Sequence, residues 1–347
     1  MKKNIALITN ASATSGVGSR AHNIEKYMPK DDDFTIQSIF IDANTRKLQI
    51  VPKSIAWIRA AQHLPVFDGY DITNQSLSFI ANTRKPSILT VHDIIEKTHP
   101  QSFFAAPVNA YLMSGIPKAT HIIAVSEYVK QEIIKYYNIA DSKISVIYNG
   151  IDTAFHQNIH AAKSSRTSPV VLSVGSDHPR KNLKTTLQVI SILKKTYPNV
   201  LLLKIGAPGL LSGRKELVQI INKLGLQDNI QIIDSASQEE LINAYRTADA
   251  LLMPSYQEGF GMPILEAMAS GCPVVCSNTT SLPEIAGDAA ILHDPEDSTS
   301  FANSISELFE SGGIKQAFIN KGLKRVKEFS WEKSAQQVHE LYKNIFI

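Results

Sequence analysis

Met253–Ser277, MPSYQEGFGMPILEAMASGCPVVCS, decides the fold. It reads as the end of a strand over 250–255, a glycine-rich turn Glu258-Gly259-Phe260-Gly261, a helix, and a second strand over 273–278. Pro263 suits the first helical turn, where a missing N–H costs nothing. Gly271, with Pro273 after it, stops the helix. Two carboxylates, Glu258 and Glu266, lie eight residues apart across the turn. On one continuous helix they would stand about 80° apart, at roughly 100° per residue. With Glu258 in the loop and Glu266 just inside the helix, both border one small volume instead. The free N–H groups of the helix start face the same place and favour an anion. An anion cradle beside two hydroxyl-binding carboxylates suits a phosphorylated sugar or a nucleotide.

Outward from this stretch, apolar strands alternate with amphipathic helical segments, the pattern of an α/β chain with parallel sheets. Strands are predicted in the first half at 4–10, 34–42, 71–75, 87–93, 120–126 and 144–150, with helices such as 19–28 and 127–137 between them. A polar, aperiodic segment at 156–169 reads as a linker. The alternation then restarts with strands at 170–175, 199–206, 229–234, 250–255, 273–278 and 289–294. The restart predicts two Rossmann-like domains in tandem, 1–160 and 161–330, with a helical stretch over 331–347 that returns to the first. In open α/β sheets ligands bind beyond the carboxyl ends of the strands. Two such domains facing a central cleft would set functional residues on the loops that follow strands.

Bulk properties narrow the function classes. At 347 residues the chain is long enough for two ordinary cores. A net charge of +3 creates no demand for nucleic acid as a partner. No apolar run approaches the ~18–20 residues that span a bilayer. MKKNIALITN lacks a long apolar region and a small-residue cleavage site, so a first strand is expected there rather than a leader. The two cysteines, Cys272 and Cys276, exclude a disulfide framework and lack zinc-ligand spacing. They read as core thiols of a cytoplasmic protein.

Four loops carry candidate chemistry. After the first strand, ASATSGVGSR holds Gly16 and Gly18 ahead of a helix, where backbone can approach a phosphate or sugar. With Ala21 and with Asp42 at the end of the second strand, the same residues also fit a dinucleotide fingerprint. After the fourth strand, His92 can hydrogen-bond a hydroxyl or phosphate, with Asp93 to orient it. Ser126 equally reads as the N-cap of the helix that follows. After the first strand of the second half comes GSDHPRKN, 175–182, opening into a helix. Arg180 and Lys181 at a helix N-terminus oppose the macrodipole, a conflict that a resident anion such as a diphosphate would relieve. Asp31–Asp33 is set aside as a solvated turn at a strand's amino end. The basic stretch 45–64, interrupted by Pro52, is an ordinary surface or an acceptor-side helix, with a peripheral contact to an anionic membrane left open.

These residues carry a family likeness. PSYQEGFGMPILEAMASGCPVVCS resembles the E-x7-E signature of family-4 glycosyltransferases, the group 1 type with the GT-B fold of two Rossmann-like domains. VGSDHPRKN is similar to their basic phosphate loop, and VHD, AVSEYVK, VIYNGID and SLPEIAGDAAILHDPED resemble further segments in the same order. The resemblance implies retaining transfer of a hexosyl group, mannosyl or glucosyl, from a nucleotide diphosphate sugar to a glycan, lipid-linked or small-molecule acceptor. It implies no metal and no cofactor beyond the nucleotide sugar itself, and work in the cytoplasm or at the inner face of the membrane. Carried onto this chain, Glu258 would contact hydroxyls of the donor sugar, helped by the backbone N–H groups of Gly259, Phe260 and Gly261. Glu266 would bind the ribose, and Arg180 with Lys181 the diphosphate. His92 would hydrogen-bond the sugar near the reacting centre, Gly16 would let the first loop close, and the base would rest on the loops at Gly206 and Asp234. Many members carry an Arg directly after the glycine that ends the second domain's first strand. Here that residue is Ser176, so Arg180 would have to supply the charge.

Two other functions stay open on sequence. A nicotinamide-dependent oxidoreductase would use Gly16, Gly18 and Asp42, but leaves the second α/β domain without a role. A non-catalytic GT-B subunit would bind a sugar nucleotide without transfer. Base, donor sugar, acceptor and oligomeric state are not legible.

Overall fold

A computed structural model of the chain describes residues 2–12, 16–30, 32–41, 53–98, 106–156, 168–209 and 211–347. Asp31, Asp42, the first-loop residues 13–15, the beginning of the basic 45–64 stretch and most of the expected linker lie outside the described residues. The chain divides into one unit formed by 1–150 and 329–347 and a second formed by 151–328. The first boundary falls at Gly150/Ile151 rather than at 160/161 for a local reason. Thr153–His156 form a 3-10 turn whose Phe155 ring meets Tyr245 edge-on at 6.1 Å, so the chain has joined the second unit before the polar segment begins. The last segment likewise starts at Phe329, whose ring lies 5.6 Å from that of Tyr148 in the first unit.

The first unit contains β1 (Lys3–Thr9), β2 (Phe34–Phe40), β3 (Gly69–Ile72), β4 (Ser87–Val91), β5 (His121–Ala124) and β6 (Ile144–Val146). They form a parallel sheet in the order β2-β1-β3-β4-β5-β6. Central strands of a parallel sheet are covered on both faces and read as continuous apolar runs. SILTV of β4 is buried throughout, whereas in the edge strand FTIQSIF only Phe34 is buried. The helix Trp331–Phe346 completes this unit. Its Trp331, Ala335, Val338, Tyr342 and Phe346 recur at spacings of three and four, a helical stripe, and enter one core with Ile5, Ile88 and Ile123.

The second unit contains β7 (Val170–Val174), β8 (Leu201–Ile205), β9 (Ile230–Ile233), β10 (Ala250–Met253), β11 (Val274–Ser277) and β12 (Ile291–His293). The order is β12-β11-β10-β7-β8-β9, again all parallel. The chain therefore builds outward from β7 in one direction, returns, and builds outward from β10 in the other. That reversal between β7 and β10 opens a crevice beyond the carboxyl ends of the two strands. All twelve strands expected from sequence are present, shortened where a polar residue takes another task. Asn74, for example, ends the expected 71–75 strand by capping the 3-10 turn Gln75–Asn82.

Candidate functional site

In the second unit the loops at the reversal are those following β7 and β10. After β10, Gly261 (φ 98°) is the N-cap of the helix Met262–Ala269, and Pro263 lies in its first turn. The helix stops at Gly271 (φ 72°), and the Cys272 N–H donates to the Ala267 carbonyl at 2.8 Å. Glu258 sits in the turn, only 6% exposed. Its backbone N–H donates to Thr280 Oγ1 at 3.2 Å, and its carbonyl accepts from Ser281 Oγ at 3.0 Å. The loop after β11 thus clasps the glycine-rich turn from both backbone sides. Thr280 holds φ 58°, a strained left-handed conformation for a β-branched residue.

The cations after β7 are placed differently from the sequence expectation. They occupy a 3-10 turn, Pro179–Lys181, ahead of the α-helix Leu183–Leu193, whose N-terminus is capped by Asn182. Asn182 adopts φ 52° and accepts from the Thr185 N–H at 3.3 Å. Its Nδ2 donates to the carbonyls of Pro254 at 3.0 Å and Pro295 at 2.7 Å, tying the loops after β10 and β12 to the cation turn. Arg180 Nη1 donates to Glu258 Oε2 at 2.9 Å and to the Gln257 carbonyl at 3.1 Å, while Lys181 Nζ donates to Glu258 Oε1 at 2.6 Å. Both oxygens of one buried carboxylate are engaged by two different cations. Burial pushes the Glu258 carboxyl up, but the attraction of Lys181 and Arg180 outweighs it and holds the pKa below the ordinary value. The anion that the paired cations required is therefore supplied by the chain itself.

Glu266 lies in the helix, with Oε2 accepting from the Tyr245 hydroxyl at 2.7 Å. Its pKa is raised by burial, against the opposing pull of Tyr245 and Lys181. Gly206 follows β8 with φ 136°, and a Cβ there would collide with the Gly175 carbonyl oxygen, so only glycine lets these two strand-end loops touch. Asp234 follows β9 and pairs with Arg214 Nη2 at 2.7 Å. Through Arg214 it joins a cluster that sequence reading missed. Arg214 Nε also pairs with Asp177, which is itself paired with Lys204, and Asp177 and Lys204 are buried. A lysine inside the apolar strand LLLKI was the available signal, since a buried ammonium needs a buried partner. Tyr245, Thr280 and Ser281 left no such signal.

His92 and Gly16 belong to the first unit. Gly16 begins the helix Gly16–Tyr27. His92 stands just beyond β4. Its N–H donates to Gln75 Oε1 at 3.1 Å, and its Nε2 lies 3.0 Å from the Thr73 carbonyl oxygen. A carbonyl only accepts, so Nε2 carries the proton and Nδ1 presents a lone pair. Burial, then the positive Arg20, lowers the His92 pKa to about 3, keeping the imidazole neutral. Arg20 is itself buried and donates to Asn149 Oδ1 at 2.7 Å. Burial raises Asp71 to about 6, against the pull of the Tyr342 hydroxyl 2.6 Å away and of Arg20. Among the described residues no three His, Cys, Asp or Glu side chains are grouped to hold a metal ion, and no helix is long and apolar enough to cross a membrane.

Residues 155–325 match the family described as glycosyl transferases group 1, and residues 21–155 match glycosyltransferase family 4. The chain belongs to the group 1 glycosyltransferases of family 4. It is 29% identical over 280 residues to the O-antigen chain mannosyltransferase B of Escherichia coli, covering 76% of this chain and 72% of that one. To the O-antigen chain mannosyltransferase RfbU of Salmonella typhimurium it is 30% identical over 221 residues, covering 63% of this chain and 60% of that one. Its structure is similar to that of Anabaena Alr3699/HepE in complex with UDP-glucose, with a TM-score of 0.80 and 20% identity over 99% of this chain and 100% of that one. WaaG, a glycosyltransferase involved in lipopolysaccharide biosynthesis, gives a TM-score of 0.71 at 12% identity over 97% and 98%. At such identities the likeness bears on the fold, which is GT-B.

Proposed function

We propose that this glycosyltransferase transfers a hexosyl group, mannosyl before glucosyl, from a nucleotide diphosphate sugar to a glycan hydroxyl with retention of configuration. The observation that carries the reading is the convergence of Arg180 and Lys181 on one point at the strand-order reversal of the second unit. Two cations that share one carboxylate are spaced to share one diphosphate. The mannosyl preference is supported by the names of the two O-antigen relatives, and a glycan acceptor by the same names. Lipid-linked and small-molecule acceptors remain within the same chemistry.

In this reading Arg180 and Lys181 hold the diphosphate and take up the charge that develops on it, the role otherwise given to a metal. Glu258 turns to hydroxyls of the donor sugar, beside the N–H groups of Gly259, Phe260 and Gly261. Glu266 accepts from the ribose, and the base rests by Gly206 and Asp234. His92, neutral, offers Nδ1 to a sugar hydroxyl, and Gly16, at the start of its helix, lets the backbone come close to phosphate or acceptor. None of these carboxylates is placed as a nucleophile, so a glycosyl-enzyme intermediate is not invoked. The bond from the sugar's anomeric carbon to the diphosphate oxygen breaks with its electron pair leaving on the diphosphate. The acceptor oxygen bonds to that carbon on the same face, and its proton passes to the departing phosphate oxygen. The work takes place in the cytoplasm, where nucleotide sugars are available, on acceptors at the inner membrane face.

The test is a thermal-shift screen with UDP-, GDP-, ADP- and TDP-sugars, followed by turnover with the donor that raises the melting temperature. The Arg180→Ala/Lys181→Ala double variant is expected to lose at least about a hundredfold in turnover, as loss of such charge stabilisation does. Wild-type turnover in that variant would sink the leaving-group assignment.

A further inference from the structure

A carboxylate that selects a hydroxyl has to present one oxygen in one direction, yet a free glutamate side chain carries up to about 2 kcal/mol of rotamer entropy to lose. Glu266 is held from behind. Tyr245, on the helix Gln238–Thr247, is fully buried, and its hydroxyl donates to Glu266 Oε2 at 2.7 Å. The Tyr245 ring is enclosed on all sides, with Phe155 meeting it edge-on at 6.1 Å and an interplanar angle of 66°. The hydroxyl is a permanent donor, since burial and then the neighbouring Glu266 charge push its pKa well above the ordinary tyrosine value. Among the described residues, Tyr245 is the hydrogen-bond partner of this carboxylate, and it engages Oε2. Oε1 is left to accept from something else.

We infer that Tyr245 is a positioning residue for nucleotide recognition: by fixing Oε2 it aims Oε1 of Glu266 at a ribose hydroxyl of the donor. The inference rests on the reading of Glu266 as the ribose acceptor and adds the residue that gives that carboxylate its direction. Its consequence is selectivity. A fixed, half-buried acceptor penalises a nucleotide that lacks the hydroxyl, whereas a freely rotating one turns to water.

Isothermal titration with UDP and GDP, each against its 2′,3′-dideoxy counterpart, reads this directly. The unaltered protein is expected to prefer the ribonucleotide by about tenfold or more, as for a hydrogen bond to a charged group. Tyr245→Phe keeps the ring and its contact with Phe155 but releases Oε2, and is expected to bring the ratio to within about twofold of unity. It should raise KM for the donor more than it lowers kcat, a split that a general loosening of the core would not produce. Glu266→Ala, which removes the acceptor, should also abolish the preference, and the double variant should lose no more than either single one. If Glu266→Ala abolishes the preference while Tyr245→Phe preserves it, the positioning role is overturned and the ribose reading stands. If the unaltered protein binds a ribonucleotide and its dideoxy counterpart equally well, the ribose reading falls and the positioning role with it. A measurement independent of any variant is the Tyr245 13Cζ resonance in the unaltered protein. It is expected to keep its hydrogen-bonded position when nucleotide binds, and movement to the free-phenol position would overturn the inference.

Discussion

Glu258 holds two cations that any diphosphate would have to share, so its charge does two opposite things. It stabilises the fold by pairing with Arg180 and Lys181, and, with those cations holding a diphosphate as proposed, it competes with that ligand. The folded pKa of Glu258 lies below the ordinary 4.5, so the stabilisation is complete above that value and disappears as pH falls through the lowered one. Glu258→Gln is expected to cost about 2 kcal/mol at pH 7, because hydrogen bonds to charged groups are worth about that much. Arg180 and Lys181 remain partly open to water, which keeps the figure below that for a fully buried pair. Urea unfolding at pH 7 and at pH 3 checks the sign, since the cost should shrink at the lower pH. Titration with pyrophosphate checks the competition. The variant should bind it several-fold more tightly, because two cations are released, while transfer falls with the loss of the sugar contact. Weaker pyrophosphate binding by Glu258→Gln would mean that Glu258 helps to build the anion site rather than fill it.

Elements bring these residues together through a few connections, and Asn182 makes several of them. It sits in the left-handed region, caps the helix Leu183–Leu193, and ties the cation turn to Pro254 and Pro295. Asn182→Gly keeps the backbone conformation and loses the ties, while Asn182→Ala loses both. We expect about 2 kcal/mol from the first and about 1 kcal/mol more from the second, from lost hydrogen bonds and from left-handed strain respectively. Equilibrium urea unfolding with an unchanged m-value reads the difference. Equal losses would show that the strain is borne elsewhere. This residue also marks the limit of what sequence makes legible. The twelve strands were readable because β strands buried on both faces are written as apolar runs such as ALLM and VVCS, and Pro263 and Gly271 bracket their helix. Ser126 announced its cap in the same local way, accepting from the Val129 N–H. The bond from Asn182 to Pro295 spans 113 residues and has no local signature. The Tyr245–Glu266 bond and the Thr280 clasp are equally silent. The cation pair was legible as a conflict with the helix dipole, but the position of its anion, 77 residues further along from Lys181, was not.

The two units differ in how the chain builds them. The second is continuous, 151–328, whereas the first needs 329–347 to close. Trp331, Val338, Tyr342 and Phe346 each bury a large side chain in the first unit's core, and burial of such a side chain contributes roughly 1.5–3 kcal/mol. Four of them together reach about 6–12 kcal/mol, as large as the entire stability of an ordinary domain. Tyr342 adds its hydroxyl bond to Asp71, and Ser334 donates to the Tyr148 carbonyl at 2.6 Å, so the loss would also strand buried polar groups. A chain ended after Glu328 is therefore expected to leave the first unit unfolded and the second intact. Calorimetry should show the endotherm of the second unit alone, and limited proteolysis should digest 1–150 while sparing 151–328. Because the Arg180–Lys181–Glu258 group lies wholly in the second unit, the truncated chain should still bind pyrophosphate, yet transfer nothing, since His92, the proposed sugar contact, is in the unfolded part. A truncated chain that kept both endotherms would mean that Ile5, Ile88, Ile123 and their neighbours close the first core without the last helix.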